Sequence, residues 1–344
     1  TAWSFGWLPP SLFVHPLAVP LGEERRLRSM RRPELSRVIL LALAALYVEG
    51  GGTFLSLMSN VTMAGDGIIT CPDECRMRLT TDNPSMKGGA WSKKLFNIAE
   101  GFTTTFTIQF LDHGHACATA QGFTEYCLTR GAHGVAFVIY GEDTTYGAVT
   151  DLSVLLGQGG AGLGYEGLKN SIAIEFDMFY DRSKGDLHDN HVGIMTRGRE
   201  GPISAEHKYS LGSTANVPEF SFERAHDVKI VYQPDLDQQD LLHHQKCVKG
   251  RSCDNFQNQP YFAHLLSTGH FPAGKIGTMH VFIDDFRFAR VIVPMRVETI
   301  LNLAHWEQVR LGFTGTTSVQ NWQKQDIYNW TICTGTGHTT CSPF

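Results

Sequence analysis

The chain has 344 residues, 42% hydrophobic and 18% charged, with a formal net charge of −5. An aromatic content of 11% excludes a disordered chain, and the acidic balance argues against a nucleic-acid binder, which carries a strongly basic face. No run of 18 apolar residues occurs, so no helix of the mature chain is expected to span a membrane.

The first feature along the chain is Val38–Val48, VILLALAALYV, an apolar run of 11 that follows Arg25, Arg26, Arg28, Arg31, Arg32 and Arg37. A basic flank, a short apolar core and the small residues Gly50–Gly52 form the pattern of a secretory signal. The apolar core stands at the right distance from Met30 and too far from Thr1. Residues 30–49 are therefore expected to be a signal peptide, and residues 1–29 a non-native upstream leader. Removing residues 1–49 takes away six Arg and four Glu and leaves 23 basic against 30 acidic residues, a charge near −7. The expected location is extracellular, either secreted or at the cell surface.

An even cysteine count after a signal implies disulfides. The eight cysteines form four sequence-local couples: Cys71 with Cys75, Cys117 with Cys127, Cys247 with Cys253, and Cys333 with Cys341. Local pairing is the simplest arrangement, and no C-x-x-C pair points to zinc. Sequons at Asn60 and Asn329 fit a secreted glycoprotein.

From residue 76 onward, period-2 alternation recurs between glycine-rich turns. Strands are expected at Phe102–Phe110, Gly134–Tyr140, Ser171–Met178, Val228–Tyr232, Met279–Ile283 and Gln308–Phe313, with one short helical turn near Val297–Leu303. DLSVLL (151–156) also reads as strand-like. Many short strands with Gly and Pro turns mean an all-β sandwich or jelly roll. Gln233–Lys275 is polar and His-rich and reads as a surface insertion, while His113, His115, His243 and His244 read as loop histidines at the surface. Residues 334–344 form a Cys-containing tail, with truncation at Phe344 one reading of its abrupt end.

The strand at 171–178 carries the chemistry. Ile172, Ile174, Phe176 and Met178 point one way; Ala173, Glu175, Asp177 and Phe179 point the other. Two carboxylates on one face of so apolar a strand are costly unless a cation neutralises them. Asp181 and Asp186 add oxygen donors, and His191 opens the next strand. One imidazole among carboxylates suits a transition ion such as Mn²⁺, and the oxygen-only remainder suits Ca²⁺. A solvated acidic loop is the plain alternative.

Glu175-x-Asp177-x-Phe179-x-Asp181, then Asp186 and His191, resembles the metal loop of the legume-type (L-type) lectins at every spacing. GFTTTFTIQF, GAHGVAFVIY, GQGGAGLGYEGLKN, VRLGFTGTTS and DIYNWT resemble further family phrases in family order, with wording closest to the bacterial and protist members. The resemblance covers residues 53–333. It implies an all-β fold, a concanavalin-like jelly-roll β-sandwich of two large antiparallel sheets. It also implies a transition ion on Glu175, Asp177, Asp186 and His191. Calcium would sit on Asp177, the Phe179 carbonyl, Asp181 and Asp186. The implied partners are glycans or glycoproteins, with homo-oligomerisation a further option.

The implied sugar site is His133, Gly159, Gly160, Phe179 and Asp181, and it departs from the family at two positions. His133 replaces an Asp that accepts from two sugar hydroxyls, and Asp181 replaces an Asn that donates an N–H. Histidine at 133 predicts weaker binding below about pH 6.5. The alternative is a structural or adhesion module that keeps the fold without binding sugar.

Two enzyme readings are weaker. Gly157-x-Gly159-x-x-Gly162 matches a dinucleotide phrase, but further glycines interrupt the helix it should open. Glu175 and Asp177 could serve a glycoside hydrolase, yet Tyr180 stands where the E-x-D-x-x-E pattern of some glucanases places its second Glu.

Overall fold

A computed structural model of the chain describes residues 56–115, 131–142, 149–198, 201–234, 277–301, 303 and 308–344. The expected leader and signal peptide, Cys117, Cys127, Cys247, Cys253, His243, His244 and nearly all of the insertion lie outside them. The described residues all belong to the compact unit Thr53–Phe344.

Two antiparallel sheets of eight strands each make up this unit. The first runs in the order β1 (Val61–Gly65), β4 (Lys87–Ser92), β14 (Gln308–Thr316), β7 (Gly134–Gly141), β8 (Ser171–Asp177), β9 (His191–Thr196) and β10 (Ser210–Thr214), with β5 (Phe96–Asn97) on β14. The second runs β13 (Val291–Pro294), β12 (Thr278–Ile283), β11 (His226–Gln233), β6 (Phe102–His115), β15 (Asn321–Thr334), β3 (Arg76–Thr80) and β2 (Ile68–Thr70), with β16 (Thr340–Pro343) on β15. Strands distant in sequence, such as β14 and β4, are neighbours, which is the jelly-roll arrangement. The only regular α-helical turn from β1 onward among the described residues is Val297–Ile300.

The sheets meet through rings. Phe106 on β6 packs on Phe137, Phe176 and Phe313 of the facing sheet at 5.9, 6.0 and 4.8 Å, and Phe313 packs on Trp330 of β15 at 4.9 Å. The Phe106–Phe137 pair is stacked and the other three are edge to face; such pairs add about 0.5–1.5 kcal/mol each beyond the area they bury. Alternation on β8 sends Ile172, Ile174 and Phe176 into this core. Its other face, with Ala173, joins a second apolar cluster that includes Trp91, Val138, Leu163, Tyr165 and Leu168. The glycine-rich segment 157–168 thus lies over the outer face of the first sheet, above Glu175 and Asp177.

Several sequence expectations change. Residues 152–154 form a 3₁₀ turn instead of a strand, because the Asp151 carboxylate accepts from both the amide and the hydroxyl of Ser153. His113 and His115 lie on β6, which runs beyond Phe110, and His113 Nδ1 meets Gln323 Oε1 at 3.0 Å. Gln233 belongs to β11. The 334–344 tail is part of the second sheet: β16 pairs with β15, and the Phe344 ring stacks on Trp330 at 4.3 Å. Disulfides Cys71–Cys75 and Cys333–Cys341 are present as local couples.

Candidate functional site

Strand register builds the site. Asp177 stands opposite Gly134 on β7 and His191 on β9; Glu175 stands opposite Ala136 and Gly193. A Cβ at position 193 would lie 2.8 Å from Glu175 Oε1, so a larger residue there would displace that carboxylate. The four side chains Glu175, Asp177, Asp186 and His191 are 3%, 5%, 8% and 2% exposed. Among the described residues His191 is their one cationic partner, 3.5 Å from Glu175 Oε1.

That partnership is incomplete. His191 Nδ1 faces the His188 carbonyl at 3.0 Å, which fixes it as the N–H donor and leaves Nε2 as the acceptor in the neutral ring. Nε2 is buried and has no hydrogen-bond partner. Burial works against a charged imidazole here, yet Glu175, Asp177 and Asp186 lift its pKa to about 9. Burial likewise pushes Asp177 well above the usual carboxylate range, against the pull of His191, and pushes Asp186 up to about 6. Three sealed carboxylates around one imidazole carry the donor types that a divalent cation takes, once the ring gives up its proton. Among the described residues, no group of three or more His, Cys, Asp or Glu side chains stands where it could hold a metal ion, so a cation here requires these side chains to move.

The loop after β8 holds the remaining donors. Asp177 Oδ1 accepts from the Phe179 amide at 2.8 Å, and Asp186 Oδ2 accepts from the Asp181 amide at 2.6 Å. The Asp181 carboxylate accepts from the amide and hydroxyl of Ser183. Burial opposes its ionisation, but those two bonds hold it below the usual range.

The expected sugar residues converge beside this loop. His133 and Phe179 meet edge to face at 5.0 Å, and His133 Nε2 lies 3.7 Å from the position a Gly160 Cβ would take. Gly160 has φ +59, a left-handed value that glycine adopts freely. Its carbonyl accepts from Thr316 Oγ1 at 2.7 Å. Gly159 is exposed beside it. All described peptide bonds are trans, and His133 itself takes φ +46. His133 is 4% exposed, and its Nδ1 has no partner. Burial lowers its pKa to about 4, which corrects the expectation of a titration near pH 6.5.

Sequence reading missed three residues. Tyr165 donates its hydroxyl to Glu175 Oε2 at 2.5 Å. Glu166 on the same segment pairs with Lys184 of the metal loop at 2.6 Å. His207 brings its ring to 6.1 Å from that of His191. Only the family-like phrase GLGYEG marked the first two, and nothing marked His207.

No family model matches the chain. It is 32% identical over 87 residues to the lectin-like protein At1g53070 of Arabidopsis thaliana, and 33% identical over 87 residues to the lectin-like protein At1g53060 of that plant. Over that stretch the chain is similar to lectin-like proteins. The matched stretch is 22% of this chain and spans only 28% and 31% of those relatives. Among solved structures, lectin I-B4 of Griffonia simplicifolia in its metal-free form is 15% identical, with a TM-score of 0.46 over 80% of this chain and 92% of that one. The VIP36 exoplasmic/lumenal domain, in its Ca²⁺/Man3GlcNAc-bound form, is 12% identical with a TM-score of 0.46, covering 80% and 86% of the two chains. Similarity to lectin-like proteins agrees with a non-enzymatic domain. Glu175 and Asp177 are both buried, and the Tyr165 hydroxyl is bonded to Glu175. No helix among the described residues is long and apolar enough to cross a membrane.

Proposed function

We propose that the chain is a secreted, cation-dependent carbohydrate-binding protein of the L-type lectin kind, with an atypical monosaccharide pocket. The observation that carries this reading is the sealed group Glu175, Asp177, Asp186 and His191, with its unpartnered imidazole nitrogen, directly beside His133, Phe179 and Gly160. Glu175, Asp177, Asp186 and His191 hold a transition ion; Asp177, the Phe179 carbonyl, Asp181 and Asp186 hold calcium. The ions contribute positive charge that offsets the carboxylates and stiffens the loop, and take no part in bond making.

At the pocket, Phe179 offers an apolar face, and the exposed Gly159 and partly exposed Gly160 bring backbone close to a ligand. A neutral His133 supplies one donor and one acceptor where ionised Asp would supply acceptors alone. Ligands that donate one hydrogen bond and accept another at this point are therefore preferred. Two local disulfides fit an oxidising compartment, and exposed Asn60 and Asn329 are open to glycosylation.

A glycan array probed with and without chelator tests the reading. Binding that chelation abolishes is the expected result. Silence under both conditions, from protein whose strand content is intact, overturns it. The burial of His133 and the engagement of Asp181 by Ser183 favour one second reading, a non-sugar adhesion module, which that silence would support.

A further inference from the structure

Two glutamines are buried next to the turn that carries His133. Gln323 and Gln325 of β15 are both fully inaccessible, and each turns its amide nitrogen toward one atom, the carbonyl oxygen of Ala132, at 3.2 and 3.4 Å. A carbonyl oxygen only accepts, so the NH₂ end of each side chain faces it. Gln323 then presents Oε1 to His113 Nδ1 at 3.0 Å, and its amide nitrogen also reaches Met178 Sδ at 3.1 Å. Gln325 gives an N–H to the Thr316 carbonyl at 2.9 Å, and its Oε1 is left without a partner. An apolar side chain at 325 would avoid that desolvated oxygen, so packing alone does not account for the glutamine. The fit at the turn is tight: a Cβ at Gly131 would lie 1.4 Å from Gln323 Oε1.

The shared target decides how His133 is presented. The Ala132 carbonyl belongs to the peptide plane before His133. The His133 carbonyl, which accepts from the Met178 amide at 2.8 Å, belongs to the plane after it. With both planes held, His133 keeps φ +46, a left-handed value uncommon outside glycine and maintained where the surroundings impose it. Its ring then stands edge to face with Phe179 at 5.0 Å, and Nε2 lies 3.7 Å from the position a Gly160 Cβ would take. Loss of the two amides frees the Ala132–His133 plane to rotate, and that rotation carries the ring away from Phe179 and Gly160.

We propose that Gln323 and Gln325 are positioning residues of the carbohydrate pocket: their amides clamp the Ala132 carbonyl and hold the His133 ring between Phe179 and Gly160, where it sets which glycan is accepted. This rests on the carbohydrate reading of that pocket, and the test separates the two.

Gln323→Met and Gln325→Met keep the side-chain volume and remove the amide; Gln325→Met also leaves the His113 and Met178 contacts of Gln323 in place. Phe344→Ala, whose ring packs on Trp330 and Phe96, controls for lost stability alone. The first readout is the nuclear magnetic resonance signal of the His133 ring in histidine-labelled protein, assigned by its absence from His133→Asn. It is expected to shift in both glutamine variants and to stay in place in Phe344→Ala. The second is a printed glycan array. The glycan that wild type binds best is expected to lose about tenfold in affinity relative to the others it binds, the worth of one hydrogen bond, while Phe344→Ala keeps the wild-type ranking. An unmoved His133 signal overturns the clamp. A moved signal with an unchanged ranking overturns its role in recognition and leaves the carbohydrate reading standing. Loss of fold in both glutamine variants, read by circular dichroism, assigns the amides to the core alone and overturns the proposal. A wild-type array without any bound glycan overturns the carbohydrate reading itself.

Discussion

Tyr165 supplies the one neutral side-chain donor to Glu175 among the described residues, and that bond has an energetic consequence. Tyr165→Phe keeps the ring in its apolar bed and removes the hydroxyl, leaving Glu175 Oε2 buried without its donor at a cost of about 1–3 kcal/mol. Groups that orient metal ligands in this way typically change affinity by about 10–100-fold when removed. Calorimetric titration with Ca²⁺ and Zn²⁺ should therefore show weaker binding to Tyr165→Phe; wild-type affinity for both ions would show that Glu175 needs no such anchor. At His133 the prediction concerns pH. Its folded pKa of about 4 lies below the ordinary value of 6.5, so the neutral ring prevails from pH 5 to 8 and protonation sets in only below that window. The ratio of sugar affinities between wild type and His133→Asn should stay constant over pH 5–8, with ligation of the ions cancelling in the ratio. A ratio that changes about tenfold there would mean the ring titrates near its free value. The sequence showed Glu175, Asp177 and His191 because alternation and spacing are local. Tyr165 and His207 act through contacts that exist only after the outer face of the sheet is covered.

At the scale of elements, the same division between local and distant contacts decides what was legible. β7, β8, β11 and β12 were found within one or two residues, since each alternates or runs apolar between clear turns. β6 was found in its first nine residues; its extension through Asp112 and His113 carries no apolar signal and is held by pairing with β15. DLSVLL misled because its leucines are apolar for another reason. Leu152 and Leu155 pack in the cluster on the outer face of the first sheet, and Asp151 favours a tight turn over an extended strand. The tail was misjudged most. Its strand is short and polar, and what anchors it is one aromatic ring at the very end, with Phe344 against Trp330 and Phe96. Phe344→Ala is expected to destabilise the fold by about 1–2 kcal/mol, from the lost ring pairs and the area they cover. Urea unfolding measures this; an unchanged midpoint would mean that the tail rides on the sheet without supporting it.

For the molecule as a whole, the proposed cation site is a cluster of buried charge that a bound cation would offset. The inter-sheet core is apolar and needs no ion, so both sheets should form without one. The outer face is different: burial raises Asp177 and Asp186 toward their protonated forms, and His191 alone opposes three carboxylates. A cation that binds the folded chain and not the unfolded one adds stability by mass action, about 2.7 kcal/mol at a hundred times its dissociation constant. For a domain of this size each kcal/mol moves the melting temperature by about 2–4 °C, so chelation should lower it by about 5–10 °C. Added Ca²⁺ together with Zn²⁺ should restore it, and Mg²⁺ should not, because it sheds its water reluctantly and prefers carboxylates to imidazole. Each divalent ion would also remove two units of negative charge from a chain of formal net charge −5, so holo protein should migrate as less acidic in a native gel. A melting temperature indifferent to chelator and to added ions would show that His191 and trapped protons alone hold the carboxylates, and would remove the proposed cation from the site.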